Sequence, residues 1–109
     1  MKDDRLYLIH ISECIDRIES YIKGKGKQDF LDSELIQDAV VRNLQILAES
    51  TQRLSDATKE SQSRFDWFKI AGFRNVLVHD YLGIEIERVW NILEKDLPVL
   101  KKAIQSMLE

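Results

Sequence analysis

One cysteine, one proline and four glycines in 109 residues leave this chain few points of interruption. A lone thiol, Cys14, closes no internal disulfide, which fits a reducing, cytoplasmic setting. With Pro98 as the single obligatory breaker, long helices are favoured over a strand-and-turn design. No stretch alternates with period two over strand length, and no internal repeat occurs. Long apolar runs are missing too. The opening MKDDRLYLIHISECIDRIE is interrupted by charge throughout, so neither a signal peptide nor a membrane span is expected. Basic excess is also absent: 16 Lys and Arg stand against 19 Asp and Glu, a net charge of -3. A nucleic-acid enzyme with this balance must keep its positive potential local. Two distant histidines and one cysteine give no zinc-type ligand spacing. The Lys23–Lys27 stretch KGKGK lacks the length and preceding strand of a phosphate loop. No metal or cofactor is expected.

Helical periodicity is what remains. Leu8, Ile11, Ile15, Ile18 and Ile22 recur at spacings of three and four, predicting a helix from about Asp3 to Ile22 that Gly24 and Gly26 end. Asp32 or Ser33 caps a second helix, whose stripe runs Ile36, Val40, Leu44, Leu47, Thr51 and Leu54 to about Ser55. The polar stretch SDATKESQS reads as a loop, part of it able to turn helical. A third helix starts near Arg64 or Asp66, carries Trp67, Phe68, Ala71, Val76 and Leu77, and ends close to His79. A last helical stretch covers Ile84 to Leu108, with a break or kink expected near Lys95–Leu97 because Pro98 does not fit a helix interior. The expectation is a single all-α domain over residues 1–109, an antiparallel four-to-five-helix bundle. Its stripes are wide for so small a core, which points to a homodimer.

The chemistry concentrates in Arg74-Asn75-Val76-Leu77-Val78-His79-Asp80-Tyr81. On a helix, Asn75 and His79 share a face, whereas Arg74 and His79 stand about 140° apart. Their convergence requires the helix to end before His79, Arg74 to bend round, or a second subunit to lie alongside. A histidine titrating near neutrality takes a proton from a ribose 2′-hydroxyl or gives one to the leaving oxygen. An arginine fork matches two phosphate oxygens and stabilises a pentavalent phosphorus. Asn75 is placed to hold the phosphate or fix the imidazole tautomer. Such a site cuts RNA without metal.

The same residues carry a resemblance. Arg-Asn-x-x-x-His-x-Tyr resembles the Arg-x-x-x-x-His-x-Tyr signature of the HEPN superfamily. The segments AVVRNLQILAES, WFKIAGFRNVLVHDY and VWNILEKDLPVLKKAI resemble its HepT branch along nearly the whole chain. The resemblance implies a dimeric toxin that cuts RNA, with several family members acting on transfer RNA. It places Arg74 and His79 at the catalytic positions, with Asn75 and Tyr81 in support. It further implies a small nucleotidyltransferase antitoxin, MNT, that silences the toxin by moving AMP from ATP onto the motif tyrosine, here Tyr81. The charge balance also keeps open a non-catalytic helical module that partners a nucleotidyltransferase or binds nucleotide.

Plainer roles suit other residues. His10 reads as structural or surface, and Trp67 and Trp90 as core. Asn43 and Glu49 lie near the second stripe and suit either the cleft or a buried contact. The KGKGK lysines read by default as a solvated loop.

Overall fold

In the computed structural model, residues 2–78 and 85–109 are described, apart from the side chains of Lys2, Asp3, Arg74, Asn75 and Val78. Among them every element is helical: α1 (Lys2–Ile22), α2 (Lys27–Leu31), α3 (Glu34–Gln52), α4 (Asp56–Glu60), α5 (Trp67–Val78), α6 (Ile86–Asn91), a π-helical stretch (Ile92–Asp96) and α7 (Leu97–Leu108). The expected all-helical bundle is present. No described helix is long and apolar enough to cross a membrane.

The first stripe folds as its spacing dictates. Leu8, Ile11, Cys14, Ile15 and Ile18 are buried, and α1 packs on α3 and α7. Gly24 adopts φ +74°, the left-handed region that a side chain resists, and lets the Lys25 amide donate to Ile22 O at 2.9 Å. An unforeseen short helix follows. The Gly26 amide donates to Asp29 Oδ2 at 2.9 Å, starting α2, which drives Phe30 into the core against Trp90, ring centroids 5.4 Å apart. Ser33 caps α3 by accepting from the Ile36 amide at 3.2 Å.

The second stripe runs short of its expected end. Helix α3 stops at Gln52, because Ser55 is taken as the N-cap of α4. Its amide and hydroxyl donate to the two oxygens of Asp4, 3.0 and 2.6 Å away, and Thr58 donates to the same carboxylate. Asp4 is thereby buried and satisfied, and these three donors hold its carboxyl down at about 2.

The third and last helical stretches take forms that spacing alone left open. Helix α5 buries Ile70, Phe73 and Leu77, while Phe68 is 90% exposed. The segment is apolar around its circumference, so packing against α3, not periodicity, selects the inner face. The irregularity expected ahead of Pro98 is present, as a wider turn rather than a stop. Pro98 sits in the first turn of α7, and the preceding residues widen into a π-helical stretch in which the Leu97 amide reaches Ile92 O. The helix thus continues through the missing N–H with one looser turn. Among the described residues no buried side-chain nitrogen or oxygen lacks a partner.

Candidate active site

Arg74 and Asn75 belong to the C-terminal half of α5, and the helix is described to Val78. Their side chains lie outside the description, and His79 and Tyr81 lie outside the described residues. The convergence of Arg74 with His79 therefore stays an expectation. What the structure gives is the frame that holds this helix. Asp66 Oδ1 accepts from the Lys69 amide at 3.2 Å and starts α5. Trp67 anchors the same end, its indole donating to Lys59 O at 3.1 Å while its ring meets Phe65 edge-on at 4.8 Å. Ile70, Phe73 and Leu77 then pin the inner face.

Beside α5 runs a hollow of about 340 Å³, lined by Lys69, Gly72, Phe73 and Val76 on one wall and Arg88, Asn91, Ile92 and Asp96 on the other. Lys69 Nζ meets Asp96 Oδ1 at 2.9 Å, and this hydrogen-bonded carboxylate raises the lysine above its ordinary value. Arg88 faces Glu85 at 3.8 Å with both side chains mostly exposed, a loose pairing. A Cβ added at Gly72 would meet nothing within 4 Å, so the wall is open there. Lys69, Arg88, Asn91 and Asp96 carry no local sequence signal; 27 positions separate Lys69 from Asp96, and only the fold joins them.

The remaining polar and aromatic candidates divide by burial. His10 and Glu49 are exposed. Asn43 is buried, donates to Ala39 O within its own helix at 3.0 Å, and lines neither hollow beside α5 among the described residues. Trp90 is buried and Trp67 half-buried with its N–H bonded, so both are structural. Cys14 is buried, and that burial pushes its thiol up, away from nucleophilic use. No group of three His, Cys, Asp or Glu side chains gathers among the described residues.

Comparison with known proteins bears on the same frame. The family model described as "Ribonuclease HepT-like" matches residues 11–107, which include the whole Arg74–Tyr81 motif. A Methanocaldococcus jannaschii protein named for both a gamma-glutamylcyclotransferase and an RNase is 36% identical over 108 residues. The alignment takes in 99% of this chain but 49% of that protein, so the chain spans about half its length. A Caldanaerobacter subterraneus protein bearing an RNase name is 32% identical, over 100% of this chain and 97% of its own. A Thermococcus cleftensis protein bearing the name ribonuclease HepT is 30% identical over 93% of this chain and 92% of its own. No solved structure matches. With the family model covering most of its length and full-length relatives at this identity, the chain belongs to the HepT-like ribonuclease family of the HEPN superfamily.

Proposed function

We propose that this protein is a metal-independent endoribonuclease, the toxin of a toxin–antitoxin pair, acting in the cytoplasm on RNA of the transfer-RNA class. The observation that carries the reading is the complete Arg74–Tyr81 motif inside a family match over residues 11–107. In the reaction, the ribose 2′-oxygen attacks phosphorus and the bond from phosphorus to the 5′-oxygen breaks. The products are a 2′,3′-cyclic phosphate and a 5′-hydroxyl. His79 handles the proton of the attacking or the leaving oxygen. Arg74 carries the charge that builds on the phosphoryl oxygens, and Asn75 orients the phosphate. The 2′-hydroxyl requirement makes DNA resistant.

The working form is a homodimer. Phe68, 90% exposed on the helix that carries the motif, supports this, since one copy leaves that apolar side bare. On an uninterrupted helix Arg74 and His79 would stand about 140° apart, and a second copy alongside would supply the missing partner. The controlling partner is an MNT-type nucleotidyltransferase. It transfers AMP from ATP to the Tyr81 hydroxyl, releasing pyrophosphate, and the anionic adduct two residues from His79 repels an incoming phosphate.

The purified protein, incubated with RNA in EDTA, is expected to yield cyclic-phosphate ends. His79→Ala or Arg74→Ala should lower the rate at least about a hundredfold while circular dichroism stays unchanged. Cleavage at the wild-type rate by a folded His79→Ala protein rejects the assignment. Incubation with the antitoxin and ATP should add the mass of AMP to wild type and not to Tyr81→Phe.

A further inference from the structure

The net charge of -3 poses a problem for any RNA enzyme, and the surface beside α5 answers it. A second hollow of about 340 Å³ adjoins the first, lined among others by Arg64, Phe65, Asp66, Lys95 and Val99. The two share Lys69 and Asp96, so the 2.9 Å ion pair stands on their common border. Among the described residues that line this double hollow, four are cations (Arg64, Lys69, Arg88 and Lys95) and two are carboxylates, Asp66 and Asp96. Local charge is therefore opposite in sign to the whole chain. Arg64 and Lys95 are exposed and enter no ion pair among the described residues, and Arg88 is only loosely held by Glu85 at 3.8 Å.

The floor is apolar. Phe73 and Ile92 are buried beneath the first hollow, and Val76 is half-buried at its side. Two further features keep it open. Gly72 places no side chain over the floor, although a glycine in mid-helix costs stability and nothing packs close enough to require it. Along the opposite wall the π-helical stretch spreads Ile92 and Asp96 across one wide turn, an irregularity that recurs at functional sites. The exposed Asn91 amide makes no hydrogen bond among the described residues.

We propose that the two hollows form one trough that holds single-stranded RNA next to the motif helix. Arg64, Lys95 and Arg88 take the backbone phosphates, Val76, backed by the buried Phe73 and Ile92, lies under the bases, and Asn91 meets a base edge. A flexible polyanion with flat apolar groups fits this combination of mobile cations over an apolar floor. The proposal rests on the ribonuclease reading and adds where the substrate lies.

The test is fluorescence anisotropy with a labelled short single-stranded RNA, titrated with His79→Ala protein to prevent cleavage, between about 50 and 200 mM salt. Replacing Arg64 and Lys95 together by alanine should weaken binding roughly tenfold at low salt. The slope of log affinity on log salt should fall by about 1.4, the single-strand value for two lost phosphate contacts. Gly72→Ala, whose added Cβ meets nothing within 4 Å, should fold at least as well as wild type and, by covering part of the floor, also bind more weakly. In the otherwise wild-type enzyme these changes should raise KM and leave kcat near its original value. Lys23→Ala with Lys25→Ala removes equal charge from the turn after α1 and should change none of this. Equal losses from both pairs would overturn the trough in favour of diffuse attraction. Unchanged binding in the trough variants, with wild-type protein still producing cyclic-phosphate ends, overturns the trough and leaves the ribonuclease reading intact. A wild-type protein that neither binds nor cuts RNA overturns both. Variants that lose self-association but keep RNA affinity assign the trough to a second copy and overturn the proposal.

Discussion

Phe68 and Phe73 are five residues apart on one helix and lead opposite lives, one 90% and the other 3% exposed. Truncating Phe73 to alanine should cost about 3–5 kcal/mol, since a buried ring leaves a cavity. Phe68→Ala should stay within about 0.5 kcal/mol in urea unfolding of the isolated protomer. That difference was illegible in the sequence, because WFKIAGF is apolar at nearly every position and period alone selects no face. Asp4 was hidden for another reason: its donors, Ser55 and Thr58, lie more than fifty positions away. Its carboxyl sits at about 2 against an ordinary 3.8, so the folded state favours the charged form. The resulting stabilisation is full above 3.8 and fades as pH falls toward 2. Asp4→Asn should therefore be less stable than wild type at neutral pH, and the gap in denaturation midpoint should close across that acid window.

Helix ends were largely readable. The Ser33 cap and the Gly24 stop follow from side-chain chemistry that acts within four residues, and both stand where the pattern put them. Helices α2 and α4 were harder, since five-residue helices offer too few turns for a stripe. Pro98 announced an irregularity but not its form; the chain had either to break or to loosen, and the surrounding packing of Ile92, Leu93 and Leu97 in the core favoured loosening. The Lys69–Asp96 pair ties that loosened turn to α5, with Lys69 mostly exposed and Asp96 mostly covered. A double-mutant cycle over the two should yield a coupling of about 0.2–1 kcal/mol that shrinks with added salt. Because the carboxylate raises the lysine, the coupling should persist to 10.5 and weaken only as pH climbs past it.

For the molecule as a whole, the motif was legible as eight consecutive letters, whereas the surface beside it was not. Arg64, Lys69, Arg88 and Lys95 are scattered over 32 positions among acidic neighbours, and only folding gathers them along two adjoining hollows. A net charge therefore said little about where a polyanion would settle. Self-association belongs to this scale as well. Phe68→Glu, which disturbs no buried contact, should shift the sedimentation mass from two copies toward one at micromolar concentration. If cleavage needs both copies, the rate should fall with it.

The two tryptophans offer a built-in optical consequence. Trp90 lies 8% exposed against Phe30, while Trp67 is half-buried at the start of α5 with its indole tied to the α4 backbone. Emission from the first should stay blue and resist iodide until the bundle melts, whereas the second should redden and quench when α4 alone lets go. A Trp90→Phe protein would thus glow as a reporter of motion at the root of the motif helix, read in real time as RNA arrives.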